Sequence, residues 1–203
     1  MRGARLALVV AAIHGVLGIA YAQDPYHLAP RNYKLEFENE YVRLSRVTYA
    51  PGDKVPEHDH PAWNTVYVYL TDGGPVVFGH KTFAPAKRPA VKAGAVRFAR
   101  VNRETHDTTY LGEQPSEYYR VELKTKMPPD LTGGRIAAGA FSDINNGQAR
   151  VERIVCAGNC QPSPLPTVVV DVASRTGRYL EPGAAVPDSK NLIRVVLKTD
   201  PVR

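Results

Sequence analysis

The chain has 203 residues, of which 43% are hydrophobic and 23% are charged, with 26 lysines and arginines against 20 acidic residues. This composition is that of a globular protein and excludes a disordered or fibrous chain. The net charge of +6 is spread out rather than clustered and accompanies no nucleic-acid motif, so we expect small-molecule rather than nucleic-acid partners. Seventeen prolines, sixteen glycines and eleven tyrosines favour many short strands joined by turns, and therefore an all-β fold.

The first 22 residues predict a secretory signal peptide. Arg2 and Arg5 precede an apolar run over residues 6–19, and Ala20-Tyr-Ala22 has the A-x-A pattern of a cleavage site. The run is shorter than the roughly 20 residues of a spanning helix, which argues against a membrane anchor. We therefore expect cleavage after Ala22 and a secreted or periplasmic protein without a membrane segment.

Five later segments alternate or run apolar and are rich in β-branched and aromatic residues, as strands are. They are residues 42–49, 65–70, 76–78, 95–101 and 118–123. Turn signals containing Gly or Pro separate them at the short spacing typical of an antiparallel sandwich or barrel.

A linker and two internal echoes divide the chain into two parts. Prolines and glycines over residues 127–134 predict a boundary near residue 130. Arg120-Val-Glu-Leu-Lys-Thr125 returns as Arg194-Val-Val-Leu-Lys-Thr199 with five of six residues identical, and residues 42–52 have a weaker echo in 149–158. Since the echoes keep their order, we interpret 135–203 as a shorter, histidine-free copy of a domain over 32–126.

Cys156 and Cys160 are the only two cysteines, and export would bring them into an oxidising compartment. The alternative is a thiol metal or redox site, but C-x3-C lacks the two-residue spacing of thioredoxin-like motifs and has no neighbouring histidine. We expect a disulfide that fixes a local turn.

The residues best suited to chemistry lie between Gly52 and Gly73. Alternate residues of a strand share a face, so His58 and His60 can direct both imidazoles at one point, as a mononuclear metal requires. The H-x-H spacing therefore predicts a metal site.

This segment resembles the first motif of the cupin superfamily, G-x5-H-x-H followed by a glutamate and a glycine, with Gly52, His58 and His60 in register. His106 takes the histidine position of the second motif, and the resemblance covers about residues 32–126. It implies a cupin-type antiparallel β-barrel (jelly roll), duplicated with a smaller degenerate second half. The sequence departs from the pattern where the glutamate is expected, because Asn64 or Thr65 stands there.

The resemblance implies that His58, His60 and His106 surround a divalent metal, with iron, manganese and copper all open. Three neutral imidazoles leave the full metal charge, which favours a bidentate anionic ligand such as an enolate, carboxylate or thiolate. Some cupin dioxygenases, including the cysteine dioxygenase-like group, use a three-histidine site, so one expectation is an oxygenase acting on a small anionic or enolisable substrate. The missing glutamate and the histidine-free second half favour the alternative, a non-catalytic metal- or ligand-binding cupin. Cupins often pair through edge strands, so a homodimer is a further expectation.

Glu104 is the candidate catalytic residue or fourth ligand, because it lies two residues before His106 and shares its face if the segment is extended. The alternative is an exposed carboxylate that balances a neighbouring arginine. Glu57 and Asp59 are expected to face solvent or to orient an imidazole. His27 and His80 fit no ligand spacing and are expected to be surface or structural residues.

Overall fold

The structure is a computed structural model that describes residues 24–81, 83–100, 104–129, 144–158 and 160–202. The predicted signal peptide and the predicted boundary near residue 130 lie outside these ranges. Within them no helix is long and apolar enough to cross a membrane. The elements are α1 (Pro25–Leu28), β1 (Tyr33–Glu38), β2 (Val42–Tyr49), β3 (Lys54–His60), β4 (Thr65–Tyr69), β5 (Val76–Gly79), β6 (Ala86–Arg88), β7 (Val96–Ala99), β8 (Glu104–Tyr110), β9 (Ser116–Leu123), β10 (Ile144–Asn145), β11 (Ala149–Cys156), β12 (Thr167–Asp171), β13 (Thr176–Leu180) and β14 (Ser189–Leu197).

The first half folds into two antiparallel sheets, as the all-β prediction requires. One has the order β1-β2-β9-β4-β7 and the other the order β3-β8-β5-β6. The pairing is nested, since β2 pairs with β9, β3 with β8, β4 with β7 and β5 with β6. A long hairpin rolled up in this way is a jelly roll. The predicted jelly-roll barrel is therefore confirmed.

The barrel interior is lined by aromatic and charged side chains rather than by aliphatic ones alone. Tyr67 lies opposite Arg97 on one neighbouring strand and opposite Arg120 on the other, so all three share one face of the sheet. Tyr67 and Tyr69 are both buried. The interior cluster consists of Ala29, Tyr33, Val47, Tyr49, Val55, Tyr67, Tyr69, Val76, Tyr110 and Tyr118.

The second half forms one antiparallel sheet with the order β10-β11-β14-β12-β13. Its register repeats that of the first sheet: Ala149 lies opposite Leu197 as Val42 lies opposite Leu123. The turns agree as well, because Lys198 Nζ donates to the carbonyl of Asn146 at 2.6 Å and Lys124 Nζ to that of Asn39 at 2.7 Å. Order and register both support the interpretation of the second half as a copy.

The described part of the second half contributes only this one sheet, so the copy corresponds to half of a barrel. It packs instead against the outer face of the barrel's five-stranded sheet. Equivalent positions of the two sheets belong to one buried apolar cluster there, among them Leu123 and Leu197. Cys156 and Cys160 lie at disulfide distance with Cα atoms 5.4 Å apart, as predicted, in the loop that follows β11. The domain limits 32–126 and 135–203 stay predictions.

Candidate metal centre

Strands β3 and β8 bring the three predicted ligands together. His58 and His60 lie two residues apart on β3, and His106 on β8 lies opposite His58 in the antiparallel pair. All three are at least 96% buried, with 1%, 4% and 4% of their surfaces exposed. One ligand nitrogen from each lies within 4.8 Å of the others, and the Nε2 atoms of His58 and His60 are 3.0 Å apart. A single divalent ion between them would reach all three.

The imidazoles of β3 are held in the form that binds metals. His58 Nδ1 donates to the carbonyl of Pro56 at 2.8 Å, which leaves Nε2 as the ligand atom. Burial lowers the pKa of His58 to about 4, and burial together with Arg120 lowers the pKa of His60 well below its usual value. Both side chains are therefore neutral near pH 7. Since metals bind neutral imidazole, this donor set fits a divalent ion.

The position where the first cupin motif has its glutamate serves another purpose. Asn64 is fully buried, and its Nδ2 donates to Oε1 of Gln148 at 2.7 Å, joining the barrel to the second sheet. In the part of the chain that the structure describes, the metal-ligating group consists of the three histidines without a carboxylate. Asn64, which stands where the motif has glutamate, therefore contributes to the contact between the two halves.

The other acidic candidates are placed as follows. Glu104 lies opposite His60 in the β3–β8 pair, and its side chain is outside the described part of the structure. Glu57 accepts a hydrogen bond from Lys81 Nζ at 2.6 Å, and Asp59 accepts one from the Thr105 hydroxyl. Glu57 and Asp59 are therefore engaged outside the histidine group.

Arg120, which the sequence did not single out, contacts the site directly. It is 4% exposed, and its Nη1 lies 3.3 Å from both His60 Nε2 and the Tyr67 hydroxyl. Its Nε donates to Glu122 Oε1 at 3.1 Å, and Glu122 is itself 1% exposed. Arg120 and Glu122 are two residues apart on β9, so the sequence Arg120-Val-Glu122 indicates that they share one face of the strand. It does not indicate that this face points into the barrel.

Comparisons with solved structures find cupin folds. A cupin domain from Bordetella pertussis is 18% identical over 45% of this chain and 91% of its own, with a TM-score of 0.39. A cupin protein with a double-stranded β-helix fold from Methanocaldococcus jannaschii is 13% identical over 45% of this chain and 77% of its own, with a TM-score of 0.34. An oxalate oxidase is 21% identical, but the match covers 40% of this chain and 41% of the oxidase, with a TM-score of 0.31.

No protein-family model matches the chain, and the search of curated proteins returned no match. The fold assignment rests on the chain's own nested strand pairing, with the three histidines inside the barrel. The first half of the chain has a cupin fold.

A cavity of about 220 Å³ opens beside the histidines of the cupin barrel. Aromatic side chains and arginines line it together with His60 and His106. Arg88 lies over the rings of Tyr67 and Phe78, at 5.0 and 4.6 Å from their centroids. Arg88, Arg100 and Arg120 therefore bring three guanidinium groups to a small, largely aromatic space. Such a space favours a small ligand that carries negative charge.

Proposed function

We propose that this protein is an exported, metal-dependent cupin that acts as an oxygenase on a small anionic or enolisable substrate. The observation that carries the proposal is the convergence of three buried imidazoles beside a cavity that three arginines line. A divalent iron, manganese or copper ion held there would supply a Lewis-acid centre with open positions for substrate and O2.

The chain's own residues have three tasks in this proposal. Arg120 and Arg88 bind and orient the substrate's anionic groups, since guanidinium groups pair well with carboxylates. Tyr33, Tyr67 and Tyr118 exclude bulk water from the cavity, which strengthens these charge interactions. Glu122 balances the buried charge of Arg120, and the pair positions the guanidinium beside His60.

The first test is the metal content of the purified full chain, measured by elemental mass spectrometry. We expect near-stoichiometric metal in the wild type and its loss in His58→Ala and His106→Ala, because each variant removes one of three ligands. His27→Ala is the matched control, since His27 is exposed and lies outside the group. Full metal content in either ligand variant would contradict the site.

The second test is oxygen consumption by the metal-loaded protein with acetylacetonate, pyruvate and cysteine as an enolate, a carboxylate and a thiolate. Metal-dependent consumption with one of them supports the oxygenase. A fully loaded protein that binds such anions without consuming oxygen would favour the alternative, a non-catalytic ligand-binding cupin.

Export has its own test. The mature protein isolated from its host is expected to begin at Gln23, in a secreted or periplasmic fraction. A mature chain that begins at Met1 would contradict cleavage.

A further inference from the structure

A second and larger cavity lies toward the other end of the barrel. It has a volume of about 710 Å³ and is lined by Ala95, Arg97 and the loops over residues 72–75, 89–92 and 110–114. Along β8, His106 lines the metal cavity and Tyr110 the larger one. Four residues of strand separate them, which is about 13 Å. Ala99 at the end of β7 lines the metal cavity, and Ala95, the residue before β7, lines the larger one. The larger cavity is therefore distinct from the metal centre.

Arg97 brings a buried positive charge to this cavity without a partner of opposite charge. It is 8% exposed, and its buried Nε has no hydrogen-bond acceptor. Its guanidinium lies 5.7 Å from the ring centroid of Tyr69, and no carboxylate of the described residues forms an ion pair with it. Burial lowers the pKa of Arg97, and the nearby charge of Arg88 lowers it further.

Three other buried or half-buried arginines have carboxylate partners, whereas Arg88 contacts only aromatic side chains among the described residues. Arg120 has Glu122 at 3.1 Å, Arg194 has Glu152, and Arg46 has both Glu36 and Glu117. An unpaired buried charge is costly, and an apolar side chain of similar volume would avoid the cost. An anion that enters the cavity and pairs with the guanidinium would offset the unfavourable free energy of burying this charge.

The rest of the lining indicates what kind of anion fits. Apolar groups dominate the cavity, including Val91 and the half-exposed side chain of Leu111. At the rim Lys92 Nζ pairs with Asp72 at 2.6 Å, so the charge of Lys92 is already balanced. Glu113 also lines the cavity, and its negative charge disfavours a ligand with several charges. A monoanion with an apolar body satisfies all of these conditions.

We propose that this cavity is a second ligand site, which binds a small monocarboxylate with its carboxylate on Arg97 and its apolar body against Val91 and Leu111. The site is independent of the metal centre and would bind whether or not the three histidines hold an ion. A failed test of the proposed oxygenase would therefore not contradict this site, and a failed test of this site would not contradict the oxygenase.

The test uses octanoate as the probe, measured by isothermal titration calorimetry on the full chain as purified and after chelation of metals. We expect saturable binding in both preparations. Arg97→Met keeps the volume and removes the charge, so we expect octanoate affinity to fall at least about tenfold, as loss of a charged hydrogen bond implies. Lys34→Met is the control, because Lys34 is exposed and lies outside the cavity lining, and its octanoate affinity should stay within about twofold of the wild type.

Two further measurements keep the outcome clear. Octan-1-ol, which has the same chain without the charge, should bind the wild type at least about tenfold more weakly than octanoate. The melting temperature of ligand-free Arg97→Met should equal or exceed that of the wild type, since the variant removes an unpaired buried charge. Equal affinities for octanoate and octan-1-ol, an unchanged affinity in Arg97→Met, or no saturable binding by the wild type would each overturn the proposal.

Discussion

Arg120 and Glu122 form a buried ion pair at the edge of the metal centre, and each depends on the other. With Arg120 removed, the remaining ion-pair partner of Glu122 among the described residues is Arg43, whose Nε lies 4.0 Å away. We expect Arg120→Met to lower the free energy of unfolding by about 3 kcal/mol, because it leaves a carboxylate buried without a close partner. Urea unfolding of the metal-free protein measures this loss.

The double variant Arg120→Met/Glu122→Gln separates the lost pair from the lost packing. It removes both charges, so we expect it to recover most of the stability that Arg120→Met loses. A neutral single variant, or a double variant that is less stable than the single one, would show that the pair does not support the fold.

At the scale of single residues, the sequence predicts ligands better than it predicts the groups around them. His58 and His60 were predictable because the two-residue period of a strand converts their spacing directly into a shared face. Arg97 and Arg120 were not, because arginines in a strand ordinarily face solvent and only the pairing of β7, β4 and β9 shows that these face inward. The role of Asn64 depends on Gln148, 84 residues away, which no local pattern reveals.

At the scale of elements, the loops at the Arg97 end of the barrel approach each other too closely for a side chain. A Cβ atom on Gly74 would lie 2.1 Å from the Cα of Gly112. The Tyr110 hydroxyl fixes this contact, since it accepts from Gly74 N at 2.9 Å and donates to the carbonyl of Gln114 at 2.6 Å. We expect Gly74→Ala to lower the free energy of unfolding by about 3 kcal/mol, because backbone must move. Chemical unfolding followed by circular dichroism measures it.

The control for this variant is Gly183→Ala. A Cβ atom on Gly183 meets nothing within 4 Å, so the variant carries only the cost of a positive φ of 79°, about 1 kcal/mol. A loss in Gly74→Ala no larger than that in Gly183→Ala would show that the close contact between the loops does not set the effect.

Strands with apolar runs were predictable, and strands with polar alternation were not. The segment 65–70 corresponds to β4 and 118–123 lies within β9, both buried along nearly their whole length. Strand β3 reads Lys-Val-Pro-Glu-His-Asp-His, and two of its three buried positions are histidines. From the sequence, only the H-x-H motif indicated that β3 is extended. A strand that carries a metal site therefore loses the hydrophobic period on which sequence prediction depends.

At the scale of the whole molecule, the described part of the second half contains one sheet of the jelly roll and not the other. Strands β10, β11, β14, β12 and β13 take the places of β1, β2, β9, β4 and β7. Where the barrel inserts β5 and β6 between β4 and β7, the copy has only the turn over residues 172–175. The histidines of the barrel lie on β3 and β8, which have no counterpart in the described copy, so its lack of histidine has a structural cause. A homodimer would have to use a surface other than the covered outer face.

Since the two sheets share one apolar core, we expect the two halves to unfold together. Leu123 in the barrel and Leu197 in the copy occupy equivalent, buried positions of the same cluster. Leu123→Ala and Leu197→Ala should each lower the free energy of unfolding by about 3 kcal/mol and shift one common calorimetric transition. Metal release during unfolding should move to lower urea by a similar amount in both, although Leu197 is far along the chain from every ligand. Two transitions, with Leu197→Ala affecting only the one that leaves the metal bound, would show that the copy is a separate folding unit.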